Sequence, residues 1–163
     1  MKLAFAAFLF SATSALANID VRFVEGAPVD QFFFSAASGC PLGAAELTVD
    51  LTGSAGGLIF DPTGAGAGVS VYQPLVLVEG ASQVLAMPDV RDGDKIMVLK
   101  LAELNRLLSF TTDLDDTMGA SETMVSGAEI AGAVVSVTLA GDTYSGVFDD
   151  SATARIAIPA CLS

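Results

Sequence analysis

The chain lacks histidine and tryptophan, and it has only seven basic residues against nineteen acidic ones in 163 positions. Without histidine it cannot build a Ser-His-Asp or Cys-His nucleophile, a histidine acid–base catalyst or a histidine-containing zinc site. The usual platform for stacking on sugars, tryptophan, is missing too. Carboxylates remain for catalysis, and no pair of them is marked out by its spacing. We therefore predict a protein that is not an enzyme, with a carboxylate-only enzyme such as a glycosidase as the alternative.

The shortage of basic residues gives a formal charge of −12 at pH 7. Proteins that bind a phosphate backbone do so through clustered lysine and arginine, so a nucleic-acid partner is excluded. An acidic surface instead favours solubility, cations and basic partners. An acidic surface with no specific partner is the alternative interpretation.

The apolar run at the N-terminus is short and covers only residues 3–10. A basic residue precedes it, and small residues ending in Ala15-Leu16-Ala17 follow it. This order predicts a signal peptide over residues 1–17, with the mature chain starting near Asn18. A membrane-spanning helix needs about 20 apolar residues, so we predict no membrane span. The protein is then exported, to the periplasm or outside the cell, unless the run is a buried N-terminal strand or helix.

The chain has two cysteines, Cys40 and Cys161. In an oxidising compartment, an even pair without metal-ligand spacing predicts one disulfide. Such a bridge would close a loop of more than about 100 residues and stabilise the fold by roughly 4–5 kcal/mol. Two separate buried thiols are the alternative.

Short alternating apolar runs that end in Gly, Pro, Asp or Ser predict an all-β fold. About ten strands with little or no helix indicate a two-sheet, jelly-roll-like β-sandwich formed by one domain, residues 18–163. Pro74 predicts an edge position or a bulge for its strand, and residues 102–106 predict one helical turn. The predicted strands are residues 19–24, 32–34, 46–52, 58–60, 69–78, 83–87, 95–101, 107–114, 133–139, 143–148 and 155–158.

Two acidic loops are candidates for a calcium site. Calcium takes six to eight oxygen ligands, and loops at one rim of a sandwich can supply them jointly. Neither loop follows the EF-hand order of ligands, and solvated turn carboxylates are the alternative, since aspartate is a common turn former. The candidate ligands are Asp92, Asp94, Asp113, Asp115 and Asp116.

Five phrases together carry a resemblance to a known family. They are residues 20–28 (DVRFVEGAP), 50–58 (DLTGSAGGL), 90–94 (VRDGD), 112–117 (TDLDDT) and 126–132 (SGAEIAG). The chain resembles small secreted bacterial proteins labelled aggregation factor core proteins. The resemblance implies an extracellular, non-enzymatic protein in calcium-dependent adhesion or matrix assembly, and it brings no functional residues with it.

The partner expected from this interpretation is a protein or a glycan at the cell surface, or a second copy of the chain. The alternative function is a periplasmic accessory module that captures a small ligand or a sugar between the two sheets. Concentration-dependent, calcium-sensitive association would favour adhesion, whereas a monomer with one deep pocket would favour ligand capture.

The calcium hypothesis makes a direct prediction for the 113–116 loop. Replacing Asp115 and Asp116 together with asparagine should abolish any calcium-induced rise in melting temperature, because the amides lose the charge that attracts the ion. A site with a Kd near 10 µM at about 1 mM calcium stabilises the native state by about 2.7 kcal/mol. Thermal melts in EDTA and in calcium measure the difference, and an unchanged rise would remove this loop from the site.

Overall fold

A computed structural model describes residues 17–27, 29–37, 42–65, 71–118 and 125–159 of the chain. These residues form twelve β-strands and one short 3-10 turn at Ala81–Gln83, which confirms the all-β prediction. The strands are β1 (Ala17–Val24), β2 (Asp30–Ala36), β3 (Ala45–Asp50), β4 (Ile59–Phe60), β5 (Val76–Glu79), β6 (Val84–Ala86), β7 (Ile96–Leu101), β8 (Leu107–Thr112), β9 (Leu114–Asp115), β10 (Val134–Leu139), β11 (Asp142–Val147) and β12 (Thr153–Ile158).

Ten of the strands form two five-stranded antiparallel sheets. The first sheet has the order β12-β1-β2-β8-β5, and the second has the order β11-β10-β3-β7-β6. The short strands β4 and β9 pair with each other outside these sheets. One continuous apolar core joins the two sheets, so the predicted two-sheet sandwich is confirmed.

The core is built from the inward positions of strands in which buried and exposed residues alternate. In β7, for example, Met97, Leu99 and Leu101 are buried while the residues between them are exposed. Phe32 lies at the centre of an aromatic group, with ring centroids 5.1 Å from those of both Phe23 and Phe110. Full burial of each such side chain contributes about 1.5–3 kcal/mol.

The sandwich is closed along one lateral side, where β11 lies against β12. A glycine is required there, because a Cβ atom on Gly146 would collide with the backbone of Arg155. On the opposite side, β5 and β6 are the outer strands of the two sheets, and the 3-10 turn connects them. Pro74 itself lies outside the described strands, two residues before β5, which is an edge strand with a register shift between Leu77 and Glu79.

Three local predictions are wrong. Of the strand predicted over residues 69–78, residues 71–75 are not in a strand and β5 begins only at Val76, since Pro74 has no N–H to donate to a ladder. Residues 102–106 form no helical turn, because Leu104 exchanges backbone hydrogen bonds with Leu42, at 2.8 and 3.0 Å, and so pairs across the chain. The predicted strand 107–114 is interrupted at Asp113, which separates β8 from β9.

Some predictions concern residues outside the described part of the chain. Residues 1–16 of the predicted signal peptide lie there, and Ala17 is the first residue of β1. Cys40 and Cys161 lie there as well, so the disulfide stays a prediction. Across the ranges that are described, no helix has the length and apolar character needed to cross a membrane.

The alternation in β2 gives a matched test of the core. Phe32→Ala should lower the free energy of unfolding by about 3–5 kcal/mol, because it removes a ring from the closely packed interior. Phe33→Ala is the control, since Phe33 is only partly buried and points to the other face of the sheet. It should cost clearly less, as measured by urea unfolding, and equal losses for the two variants would contradict the assigned faces.

Candidate functional site: a buried acidic cluster

Four aspartates from three parts of the chain meet at one end of the sandwich. They are Asp30, Asp61, Asp113 and Asp115, which we call the acidic cluster, and each is at most 4% exposed. Aspartate is rarely buried to this degree unless it is paired with a cation, so the cluster is unusual in any fold.

The pairing of β4 with β9 positions Asp61, Asp113 and Asp115. Ile59 lies opposite Asp115 in this short ladder, and Phe60 lies opposite Leu114. One residue beyond β4, the backbone N–H of Asp61 donates to the carbonyl oxygen of Asp113 at 3.0 Å. The ladder therefore fixes the three carboxyl groups beside one another.

Asp30 reaches the cluster from the first residue of β2. It lies opposite Thr112, the last residue of β8, and so beside the start of the acidic stretch. Its carboxylate accepts hydrogen bonds from the N–H groups of Gly26, at 3.2 Å, and Leu114, at 3.1 Å. This second bond ties residues 84 positions apart.

Burial changes the protonation of three of these groups. It raises the pKa of Asp30 to about 7 against the opposing effect of the hydrogen bonds from Gly26 and Leu114. Burial and the charge of Asp115 raise the pKa of Asp113 to about 7. Burial, the charges of Asp115 and Asp92, and a hydrogen bond with the Asp115 carboxyl raise the pKa of Asp61 to about 6. A desolvated carboxyl among like charges favours its neutral form.

Two oxygen atoms of the cluster receive no hydrogen bond from any described group. They are Oδ2 of Asp61 and Oδ2 of Asp113. Such a site can lower its free energy by taking up protons or a cation.

Of the five predicted calcium ligands, the structure brings two into the cluster. Asp113 and Asp115 belong to it, and Asp116 is the next residue and also buried. Asp92 and Asp94 instead hold their own loops together. The carboxylate of Asp92 accepts hydrogen bonds from Thr63 N, Thr63 Oγ1 and Ala65 N, at 2.6–2.9 Å.

The loop that carries Asp92 and Asp94 nevertheless lies close to the cluster. Its backbone pairs with β4, since Phe60 N donates to Asp94 O and Gly93 N donates to Phe60 O, both at 2.9 Å. The side chain of Asp94 accepts a hydrogen bond from Arg91 N at 2.8 Å. Burial acts to raise the pKa of Asp92, but the hydrogen bonds from Thr63 and Ala65 outweigh it, so this pKa is lowered.

The arrangement does not yet amount to a metal site. Within the described ranges, no three Asp, Glu or Cys side chains converge in a way that could hold a metal ion. The chemistry that the cluster can perform as it stands is proton uptake by the groups whose pKa values are raised, Asp30, Asp61 and Asp113.

Sequence reasoning missed Asp30 and Asp61. Each stands at the end of a strongly apolar strand, Asp30 before Phe32 and Asp61 after Phe60. A carboxylate directly next to a run that must be fully buried is the signal that could have found them.

No protein-family model matches the chain, and no curated protein matches it.

The acidic cluster predicts an unusual pH dependence of stability. The folded protein binds more protons than the unfolded chain between pH 4 and 7, because the pKa of Asp30 rises from 3.8 to about 7 on folding. The free energy of unfolding should therefore fall as the pH rises through this window, by on the order of 3 kcal/mol for one such group. Urea unfolding at a series of pH values measures this slope.

Asp113→Asn should flatten the slope and make the protein more stable at pH 8, because the amide cannot ionise among the remaining carboxylates. Asp150→Asn is the control, since Asp150 is exposed in the turn before β12. A slope that is the same in Asp113→Asn and in the unmodified protein would show that the cluster does not control the pH dependence.

Proposed function

We propose that the protein is an exported, non-enzymatic β-sandwich that acts in adhesion or assembly, at the cell surface or outside the cell, and whose acidic end responds to calcium. The observation that carries the proposal is a row of exposed aliphatic side chains on β6, β7 and the residue after β6. The resemblance to aggregation factor core proteins points in the same direction.

Four exposed side chains on these adjacent strands, and on the residue after β6, make up what we call the aliphatic strip. Leu85 is 65% exposed, Met87 53%, Ile96 52% and Val98 39%. In β7 the outward positions that hold Ile96 and Val98 are those where a sheet facing water normally has polar residues. The adjacent strand β3 follows that rule, with Glu46, Thr48 and Asp50 at its outward positions. A local group of apolar side chains on an otherwise polar face is typical of a protein contact surface.

The contact that we propose is made by side chains rather than by strand pairing. An edge strand with free backbone groups can recruit another strand, and short or bulged edges hinder this. Both edges on this side are of the hindered kind: β5 has four residues, β6 has three, and each has a register shift against its neighbour. The partner is a second copy of the chain or an apolar surface on another protein.

The acidic cluster supports the calcium part of the proposal. Buried carboxylates close to one another repel when they are ionised, and a bound divalent cation reduces this repulsion, as protons do. Oδ2 of Asp61 and Oδ2 of Asp113 are the atoms open to such an ion. Since no three side chains yet converge on one point, binding requires the side chains to rearrange or backbone carbonyl oxygens to contribute.

The cluster is also connected to the β5 edge. The backbone N–H of Asp113 donates to the carbonyl oxygen of Gln73 at 3.3 Å, and Gln73 lies in the segment that leads into β5. This hydrogen bond links the acidic cluster to the segment before β5, which is an edge strand on the same side of the sandwich as β6.

The test is light scattering coupled to size-exclusion chromatography, on chain lacking residues 1–17, over a range of protein concentrations with EDTA or calcium. We expect the mass to grow with concentration and with calcium, and the calcium effect to be larger at pH 8 than at pH 5, because protons compete for the same carboxylates. Leu85→Ser/Ile96→Ser should lower the association, because it removes apolar area from the strip.

The matched control is Val24→Ser/Val147→Ser, which removes two aliphatic side chains that are 37% and 58% exposed but lie outside the strip. It should associate like the unmodified protein. A monomer at every concentration, or equal losses from the two double variants, would refute the strip as the contact surface. Association without a calcium response would refute only the calcium part.

A further inference from the structure

A groove of about 730 Å³ crosses the outer face of the first sheet, on β12, β1 and β2. We propose that it binds a carboxylate-bearing saccharide, held by Arg22 and Arg155. The inference is independent of the proposed assembly, since the groove and the aliphatic strip belong to different sheets.

Strand register places the groove's polar residues in two cross-strand rows. Arg155, Asp20 and Ser35 lie opposite one another on the three strands and form the first row. The second row is Thr153, Arg22 and Phe33. Arg22 and Arg155 are diagonal neighbours, with an expected separation of about 7–8 Å, so one short oligosaccharide can contact both.

Arg22 is held in a position suited to binding a carboxylate. Its guanidinium carbon lies 4.6 Å from the centre of the Phe33 ring, in a cation–π contact. It forms no ion pair with any residue of the described ranges. Stacking on the ring fixes the plane of the guanidinium group and leaves its N–H groups available. A guanidinium group held in this way can bind a carboxylate through two parallel hydrogen bonds.

Arg155 is oriented by a hydrogen bond to Asp20 that involves only one of its guanidinium nitrogens. Its Nε donates to Oδ1 of Asp20 at 2.6 Å, and this is the contact that the ion pair makes. The terminal nitrogens of Arg155 stay available, since the side chain is 65% exposed. The structure thus presents two guanidinium groups, each steadied by a neighbour, on the same face of the sheet.

The charge balance selects a ligand with isolated carboxylates rather than a dense polyanion. Apart from Lys2 the chain has six basic residues, and two of these line the groove. Asp20 and Asp149 also line it, so its net charge is zero in a chain whose net charge is −12. A nucleic acid or a heavily sulfated chain would meet net repulsion from such a protein.

The remaining lining favours a sugar over a simple acid. Ser35 and Asp20 add a hydroxyl and a carboxylate that can exchange hydrogen bonds with sugar hydroxyls. Asp149 accepts hydrogen bonds from Ser151 N, Thr153 N and Thr153 Oγ1, so it shapes the groove's rim. The volume falls within the range of about 300–1,000 Å³ that is typical of ligand sites, and it exceeds what a single carboxylate fills.

The test is calorimetric titration of the chain lacking residues 1–17 with a tetrasaccharide in which two galacturonic acid residues alternate with two neutral rhamnose residues, beside an uncharged galactose tetrasaccharide and glutarate. We expect saturable binding of the first and at least about tenfold weaker binding of the other two, since charge-assisted hydrogen bonds and the sugar hydroxyls are both needed. Arg22→Gln and Arg155→Gln should each raise the Kd about tenfold. Phe33→Leu should also weaken binding, although it keeps both arginines, because it removes the surface that orients Arg22.

Arg91→Gln is the matched control, because Arg91 is also an exposed arginine paired with an aspartate, Asp89, at 3.4 Å. It should leave the Kd within about twofold of the original, since exposed pairs contribute little by themselves. Failure of the tetrasaccharide to bind would overturn the proposal, as would equal affinity for glutarate or the uncharged sugar, or an equal loss in Arg91→Gln. None of these results would affect the assembly test, which does not involve a saccharide.

Discussion

Removing the inward side chains of two sheets from water is the constraint that shapes this molecule, and the connecting residues at the sheet ends are buried as a result. Leu114 is fully buried, and the backbone that places it there takes the carboxyl groups of Asp113 and Asp115 inside as well. Burying one large apolar side chain contributes about 1.5–3 kcal/mol. Holding one carboxyl group protonated near neutral pH involves a free energy of similar size. The fold can contain the acidic cluster because the apolar residues outnumber it greatly.

The strands could be predicted from the sequence because each alternates over enough residues to define a buried face. In β3 and β10 the alternation is uninterrupted, and the predicted and observed strands differ by one or two residues at their ends. The strand predicted over residues 69–78 shortened to β5, because Pro74 has no backbone N–H to donate to a sheet ladder. The turn predicted at residues 102–106 failed for a different reason. A leucine repeat cannot distinguish a helix from an extended segment in which Leu104 finds a partner 62 positions away.

Only half of the acidic cluster could be predicted from the sequence, because its residues come from parts of the chain that are far apart in sequence. Asp113 and Asp115 stood out as neighbours, but their grouping with Asp30 and Asp61 depends on the β2–β8 and β4–β9 pairings. Composition also suggested that acidic residues in loops face water, whereas here residues 112–116 are buried throughout. The groove shows the same limit, since the two rows of Arg22 and Arg155 exist only once three strands are in register.

The close approach of β11 to β12 at Gly146 limits where the sandwich could accept a strand from another chain. A sandwich that is adhesive along both lateral sides can join head to tail into an open filament, whereas one that is adhesive along a single side pairs isologously and then stops. Because the backbone of Arg155 occupies the space beside Gly146, a further strand cannot be added between the sheets there. The β11–β12 side therefore offers no place for a strand of another chain, and the assembly proposed above would have to use other surfaces of the sandwich.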